Sequence, residues 1–155
     1  MAVEIERKFR VIADDWKKQV AKTRRLHQGY LAKNGNVSVR VRIDDAETAT
    51  LTIKTVEPGL ARNEYEYTIP VADAEELLRK CEGATVCKVR HIVPIGNIGW
   101  EIDEFEGDNA GLVIAEVELD DAEQTFERPA WLGDEVTGDR RYYNAYLSEH
   151  PFTRW

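Results

Sequence analysis

With 155 residues and 29 acidic against 21 basic side chains, the chain carries a formal net charge of -8, which argues against nucleic acid as a partner. The length suits one domain, 1–155, and 43% hydrophobic with 32% charged residues excludes a disordered chain. No apolar run approaches the roughly 18 residues of a membrane span, no apolar segment follows the first basic residues, and Cys81 and Cys87 stand without a CxxC or nearby His. Neither export, a membrane partner, a zinc site nor a disulfide scaffold is expected, and the cytoplasm is the default location.

The first element in chain order is "VEIERKF" (3–9), whose period-two alternation predicts a strand with Glu4, Glu6 and Lys8 on one face and Val3, Ile5, Arg7 and Phe9 on the other. A short helix is expected in "DDWKKQVA", with Trp16 and Val20 four apart. Strands follow in "LHQGYL" (26–31), "VSVRVRI" (37–43), "TLTIKT" (50–55) and "NEYEYTI" (63–69). "DAEELLRKCEG" predicts a helix with Asp73 as N-cap, Glu76 as its capping-box partner and Gly83 past its end. Three more strands are expected in "CKVRHI" (87–92), "WEIDEF" (100–105) and "IAEVEL" (114–119), then helices in "DAEQTFER" from Asp121 and in "RRYYNAYLSEH". About eight mostly antiparallel strands with flanking helices make an α+β fold.

The polar faces of these strands carry the chemistry. In order they present Glu4, Glu6 and Lys8; Ser38, Arg40 and Arg42; Thr52 and Lys54; Glu64 and Glu66; Lys88 and Arg90; Glu101 and Asp103; Glu116 and Glu118. A solvated sheet face also alternates. Charges here, however, come as like-sign pairs about 7 Å apart along one strand, which repel and which solubility does not require. They acquire a use if the sheet closes with its charged face inward. Arg and Lys then grip a polyanion, and carboxylate pairs hold hard divalent cations that bridge the same oxygens. Such a barrel is inverted, with its apolar face outward and partly covered by helices.

"EIERK" resembles the ExExK signature that opens the CYTH domain of the triphosphate tunnel metalloenzymes. "QGYL", "VRVR", "LTIK", "RNEYEY", "CKVR", "WEIDEFEG", "AEVEL" and "WLGDEVTGDRRYYNAYL" follow in matching order over nearly the whole chain. The resemblance implies an eight-stranded antiparallel closed β-tunnel whose bore is lined by the charged side chains. It also implies a metal-dependent enzyme acting on a small-molecule triphosphate, most similar to short bacterial inorganic triphosphatases. A homodimer is compatible with it.

On that resemblance Arg40, Arg42, Lys54, Lys88 and Arg90 are expected to bind phosphates. Glu4, Glu6, Glu116 and Glu118, then Asp103 and Glu101, are expected to ligate Mg²⁺ or Mn²⁺, two ions in all. One ion would bridge phosphate oxygens and the other would lower the pKa of the attacking water, beside Glu116 or Glu118. Glu64 and Glu66 are either further ligands or ion-pair partners that orient the cations. Lys8 binds phosphate and is a candidate proton donor to the leaving group, helped by Tyr30, for which a packed aromatic is the alternative. Arg140 and Arg141 either meet substrate at a tunnel mouth or lie on a solvated helix face. Thiamine triphosphatase activity, a class IV adenylyl cyclase reaction and a non-catalytic polyphosphate or nucleotide sensor are the competing functions.

Overall fold

The computed structural model describes Met1–Trp155. Strands β1 (Ala2–Val11), β2 (Lys22–Lys33), β3 (Val37–Asp44), β4 (Thr48–Thr55), β5 (Ala61–Ile69), β6 (Glu82–Ile95), β7 (Ile98–Phe105) and β8 (Val113–Glu118) join in the order β5-β4-β3-β2-β6-β7-β8-β1, and β1 pairs with β5 to close the sheet. Every pairing is antiparallel, so the expected eight-stranded closed tunnel is present. The free edge of β1 is shared: Ala2–Ile5 pair with β5, while Phe9 and Val11 pair with the short β9 (Leu132–Glu135).

Turn chemistry sets the register. Between β3 and β4 the Glu47 amide donates to the Asp44 carbonyl at 3.0 Å, with Asp45 (φ 52) and Ala46 (φ 59) both left-handed. That geometry matches the right-handed twist of the flanking strands. It fixes Arg40 opposite Thr52, and Ser38 opposite Lys54, on one face.

The inverted pattern holds over most of the barrel: two apolar patches lie outside it, and a third closes one end from within. Phe9, Trp100, Ile102, Ala115 and Val117 form the largest, covered by Trp16 and Trp131. Trp100 there meets Phe9 (5.8 Å), Phe126 (5.6 Å) and Trp131 (5.6 Å) edge to face, a favoured aromatic geometry. Val41, Ile43 and Ala49 form the other outer patch, under Ala74 and Leu78 of α1 (Val71–Leu78), whereas Val86, Phe105 and Ile114 share the inward strand faces of Lys88, Asp103 and Glu116 and pack with Tyr142 and Leu147 at one end of the barrel.

The helices are shorter than the sequence pattern predicts. Asp73 lies in the first turn of α1, where its charge suits the helix dipole, and Pro70 is the N-cap. Trp16 sits in a 3₁₀ turn, Asp15–Gln19. The helix expected from Asp121 is absent: Asp121 Oδ1 accepts the Glu123 amide (2.8 Å) and Gln124 Oε1 accepts the Asp120 amide (2.6 Å), so side chains satisfy the backbone locally and the chain runs on to pack a partly buried Phe126 against the outer core. The C-terminal helix is a 3₁₀ turn, Arg140–Tyr142, followed by the single-turn α2, Asn144–Leu147. This segment is tied to the barrel at Gly83 (φ 68), where an added Cβ would lie 2.8 Å from the Ser148 carbonyl. No helix is long and apolar enough to cross a membrane.

Candidate active site

The inward faces enclose a bore of about 240 Å³ lined by 20 residues, only three of them hydrophobic. That is smaller than the ~300–1,000 Å³ of most organic-ligand pockets and opposite to them in polarity. Seven cationic and seven acidic side chains line it. Strand register sorts them: Lys8 faces Glu116, Glu116 faces Glu101, Lys54 faces Glu64, and Glu6 faces Glu118.

One half is cationic. Asp103, fully buried, accepts from Lys88 Nζ (2.6 Å), Arg90 Nε (2.8 Å) and Arg90 Nη2 (2.9 Å), and Lys88 also donates to Asn144 Oδ1 (3.1 Å). Burial pushes the Lys88 ammonium down to about 7, although Asp103 opposes the shift. Burial acts on Asp103 in the opposite sense, but Arg90 and Lys88 outweigh it and hold the carboxyl well below its usual range. Arg40 and Arg42 have no carboxylate partner. Arg42 Nε donates to Gln28 Oε1 (2.8 Å), the buried Arg40 Nε has no acceptor, and burial with repulsion from Arg40 and Arg90 pulls Arg42 down to about 9.

The other half is crowded with carboxylates. Lys54 Nζ lies 2.9 Å from Glu4 and 3.7 Å from Glu64. A hydrogen bond with Glu4, then burial, pushes Glu64 up to about 7; burial, then the Glu116 charge, does the same to Glu6. Glu118 is also raised, by burial and by Glu4 and Glu101. Glu116 goes the other way, to about 2: burial would raise it, but Lys8 (3.3 Å) and Arg90 (3.7 Å) prevail.

Family comparison agrees with this architecture. A family model described as "CYTH domain" matches residues 2–143. The chain belongs to the CYTH domain family. An inorganic triphosphatase of Acetivibrio thermocellus is 44% identical over 153 residues, covering 98% of this chain and 97% of that protein. Another, of Nitrosomonas europaea, is 39% identical over 151 residues, covering 94% and 96%. A crystal structure of an inorganic triphosphatase superposes with a TM-score of 0.67 at 34% identity, covering 96% of this chain and 95% of that one.

All but one of the expected site residues line the CYTH bore. The exception is Asp103, expected as a metal ligand, which faces inward but is buried beneath Lys88 and Arg90 with both oxygens taken by them. Glu101 does reach the bore and pairs with Arg90 Nη1 at 3.0 Å. Tyr30 lines the bore while nine-tenths buried, and Lys8 is buried between Glu116 and Glu6. Burial would lower Lys8, but those two carboxylates raise it, which makes it a persistent cation and a poor proton donor. Arg141 points away from the bore and pairs with Asp139 at 2.7 Å, and Arg140 is exposed at a mouth.

Sequence reasoning did not single out Arg62, Gln28, Tyr143 and Asn144. Arg62, Tyr143 and Asn144 line the bore, and Gln28 holds Arg42 from behind. Alternation would have found Arg62, two residues before Glu64 on the same strand face. Asn144 and Tyr143 reach the bore from a broken helix, a placement no periodicity encodes.

Proposed function

We propose that this CYTH bore hydrolyses inorganic tripolyphosphate to pyrophosphate and phosphate, with a divalent cation, and that residues 1–155 work as one domain. One observation carries the reading: arginines without carboxylate partners share a single small polar bore with a crowd of carboxylates, Glu4, Glu6, Glu64 and Glu118 among them, that has only Lys54 and Lys8 nearby to neutralise it. The first group lacks an anion and the second has too little positive charge. A metal–triphosphate complex supplies both, and its ends are as polar as the walls.

The donor set fits a hard cation. Glu4, Glu6, Glu101, Glu116 and Glu118 offer only oxygens, and the raised Glu6 and Glu118 are relieved by positive charge. No three acidic, His or Cys side chains already converge on one point, so substrate oxygens and water would complete the coordination. Mg²⁺ or Mn²⁺, as one ion or two, would neutralise phosphate charge and acidify a bound water there. Arg40, Arg42, Lys88 and Arg90 hold the non-reacting phosphates, and Lys54 bridges the two halves. Water attacks the terminal phosphorus as the bridging P–O bond breaks, and Lys8, fixed by Glu116, neutralises the oxygen that leaves. Glu64 holds Lys54 (3.7 Å), and Glu66 reaches Arg40 only through Thr52, whose hydroxyl donates to Glu66 (3.4 Å) and accepts from Arg40 Nη2 (3.5 Å). Asp103 is a positioning residue in place of the expected ligand.

Phosphate release from tripolyphosphate, thiamine triphosphate and ATP, with Mg²⁺, Mn²⁺ or EDTA, tests this. Turnover is expected for tripolyphosphate with metal and none in EDTA; tripolyphosphate that binds without turning over under either metal would show a sensor instead. A cyclase or thiamine triphosphatase needs a slot for a base or ring, and the bore's hydrophobic lining is Tyr30, Tyr143 and Ala145 alone.

The carboxylate half also makes a pH prediction. Glu6 and Glu64 titrate near 7 in the folded chain against an ordinary 4.5, so between those values the folded chain holds protons that the unfolded chain has released. Stability in EDTA should therefore fall as pH rises from about 4.5 to about 7, and Mg²⁺ should restore it. A melting temperature that rises through that window would contradict the crowding described.

A further inference from the structure

We propose that the ring of Tyr143, held against Arg62, is the specificity determinant that limits how long and how bulky a phosphate chain the bore accepts. This rests on the triphosphatase reading and goes beyond it.

The backbone aims the ring. Tyr143 is extended (φ -81, ψ 137) between the 3₁₀ turn and α2, so neighbouring side chains diverge: Tyr142 enters the apolar cluster that closes one end of the barrel and Tyr143 the bore. The position is fixed from the next two residues, through Lys88 Nζ to Asn144 Oδ1 (3.1 Å) and Lys33 Nζ to the Ala145 carbonyl (2.8 Å). Cations hold the ring as well, with Arg62 Cζ at 4.9 Å and Lys8 Nζ at 5.3 Å from its centroid.

Tyr143 and Arg62 are the shared wall of three spaces. They line the bore, a small recess of about 50 Å³ beside Gly59 and Gly138, and a wide one of about 810 Å³ bounded by Val37, Val56 and Arg140. Arg62 pairs with no carboxylate, so a terminal phosphate is a better partner for it than the ring. A chain that ends inside the bore gains that contact with Tyr143 in place. A further phosphate or a nucleoside must displace the ring from both cations, against a backbone pinned by Asn144 and Ala145.

The test compares kcat/KM for tripolyphosphate, tetrapolyphosphate and ATP with Mg²⁺ in the full chain. Tyr143→Ala should raise the ratio for each larger substrate over tripolyphosphate about tenfold, and Tyr143→Phe should keep the wild-type ratio because the ring remains. Arg62→Gln leaves the ring and backbone in place and should raise the ratio too. It decides the matter if thermal melts show that Tyr143→Ala does not fold. Unchanged ratios in the folded variants, or a wild type indifferent to length, overturn the proposal. A wild type that does not hydrolyse tripolyphosphate at all overturns the triphosphatase reading instead.

Discussion

Asp103→Ala is expected to destabilise the protein by about 3–5 kcal/mol, a fall in melting temperature of roughly 6–20 °C for a chain of this size. The carboxylate is fully buried and receives three charged hydrogen bonds between 2.6 and 2.9 Å. Its removal strands Lys88 without an ion-pair partner and leaves Arg90 only Glu101 and Glu116, and Lys88 is already displaced to about 7 by its surroundings. The comparison is Glu101→Ala, two residues along the same strand face. That side chain is 27% exposed and makes one ion pair with Arg90, so its loss should cost no more than about 1 kcal/mol. Thermal or urea melts of both variants check the contrast. Equal losses would mean that Asp103 is not the counter-ion of the cationic half.

Arg42→Met is expected to separate function from stability in the opposite direction. Arg42 sits beside Arg40 and Arg90, has no carboxylate, and is bonded only to the neutral Gln28. An apolar side chain of similar length removes that repulsion, so the folded state should gain about 1 kcal/mol in the absence of ligand. Tripolyphosphate loses a buried charged contact, and KM should rise roughly 100- to 1,000-fold, with a smaller effect on kcat. A variant that is less stable than wild type, with KM within about threefold, would remove Arg42 from the phosphate-binding set. Excess positive charge at the site is then the feature that substrate binding relieves, which is how binding sites commonly trade stability for function.

Much of this was legible in the sequence because a closed sheet obeys a period of two. Seven of the eight barrel strands show alternation, β2 being the exception, and each charged doublet from Glu4 and Glu6 through Glu116 and Glu118 falls on one face. The closure that turns those faces inward is not a periodic signal; the like-sign doublets pointed to it, and the family resemblance supplied the eight-stranded tunnel. Depth is not periodic either: Glu101 and Asp103 alternate alike, yet the shorter side chain ends behind Lys88 and Arg90 while the longer one reaches the bore. Helical spacing misled in residues 121–128, where Asp121 and Gln124 answer the backbone and Phe126 is drawn to Trp100. Tyr143 and Asn144 depend on the path of the C-terminal segment, which tertiary contacts at Gly83, Lys33 and Lys88 decide.

The pairing of β1 with β8 joins Glu6 to Glu118, about 110 residues apart in sequence, whereas β2 to β7 connect largely between near neighbours. Contacts of such separation form late, because the entropy of closing the loop must be met before they return anything. Glu4, Glu6 and Lys8 on β1 and Glu116 and Glu118 on β8 are therefore brought together by the last strand to dock. The phosphate-binding arginines of β3 can be in place earlier, in a sheet that is still open. A chain that is nearly folded would grip polyphosphate yet be unable to cleave it, and hydrolysis would begin only when the barrel shuts.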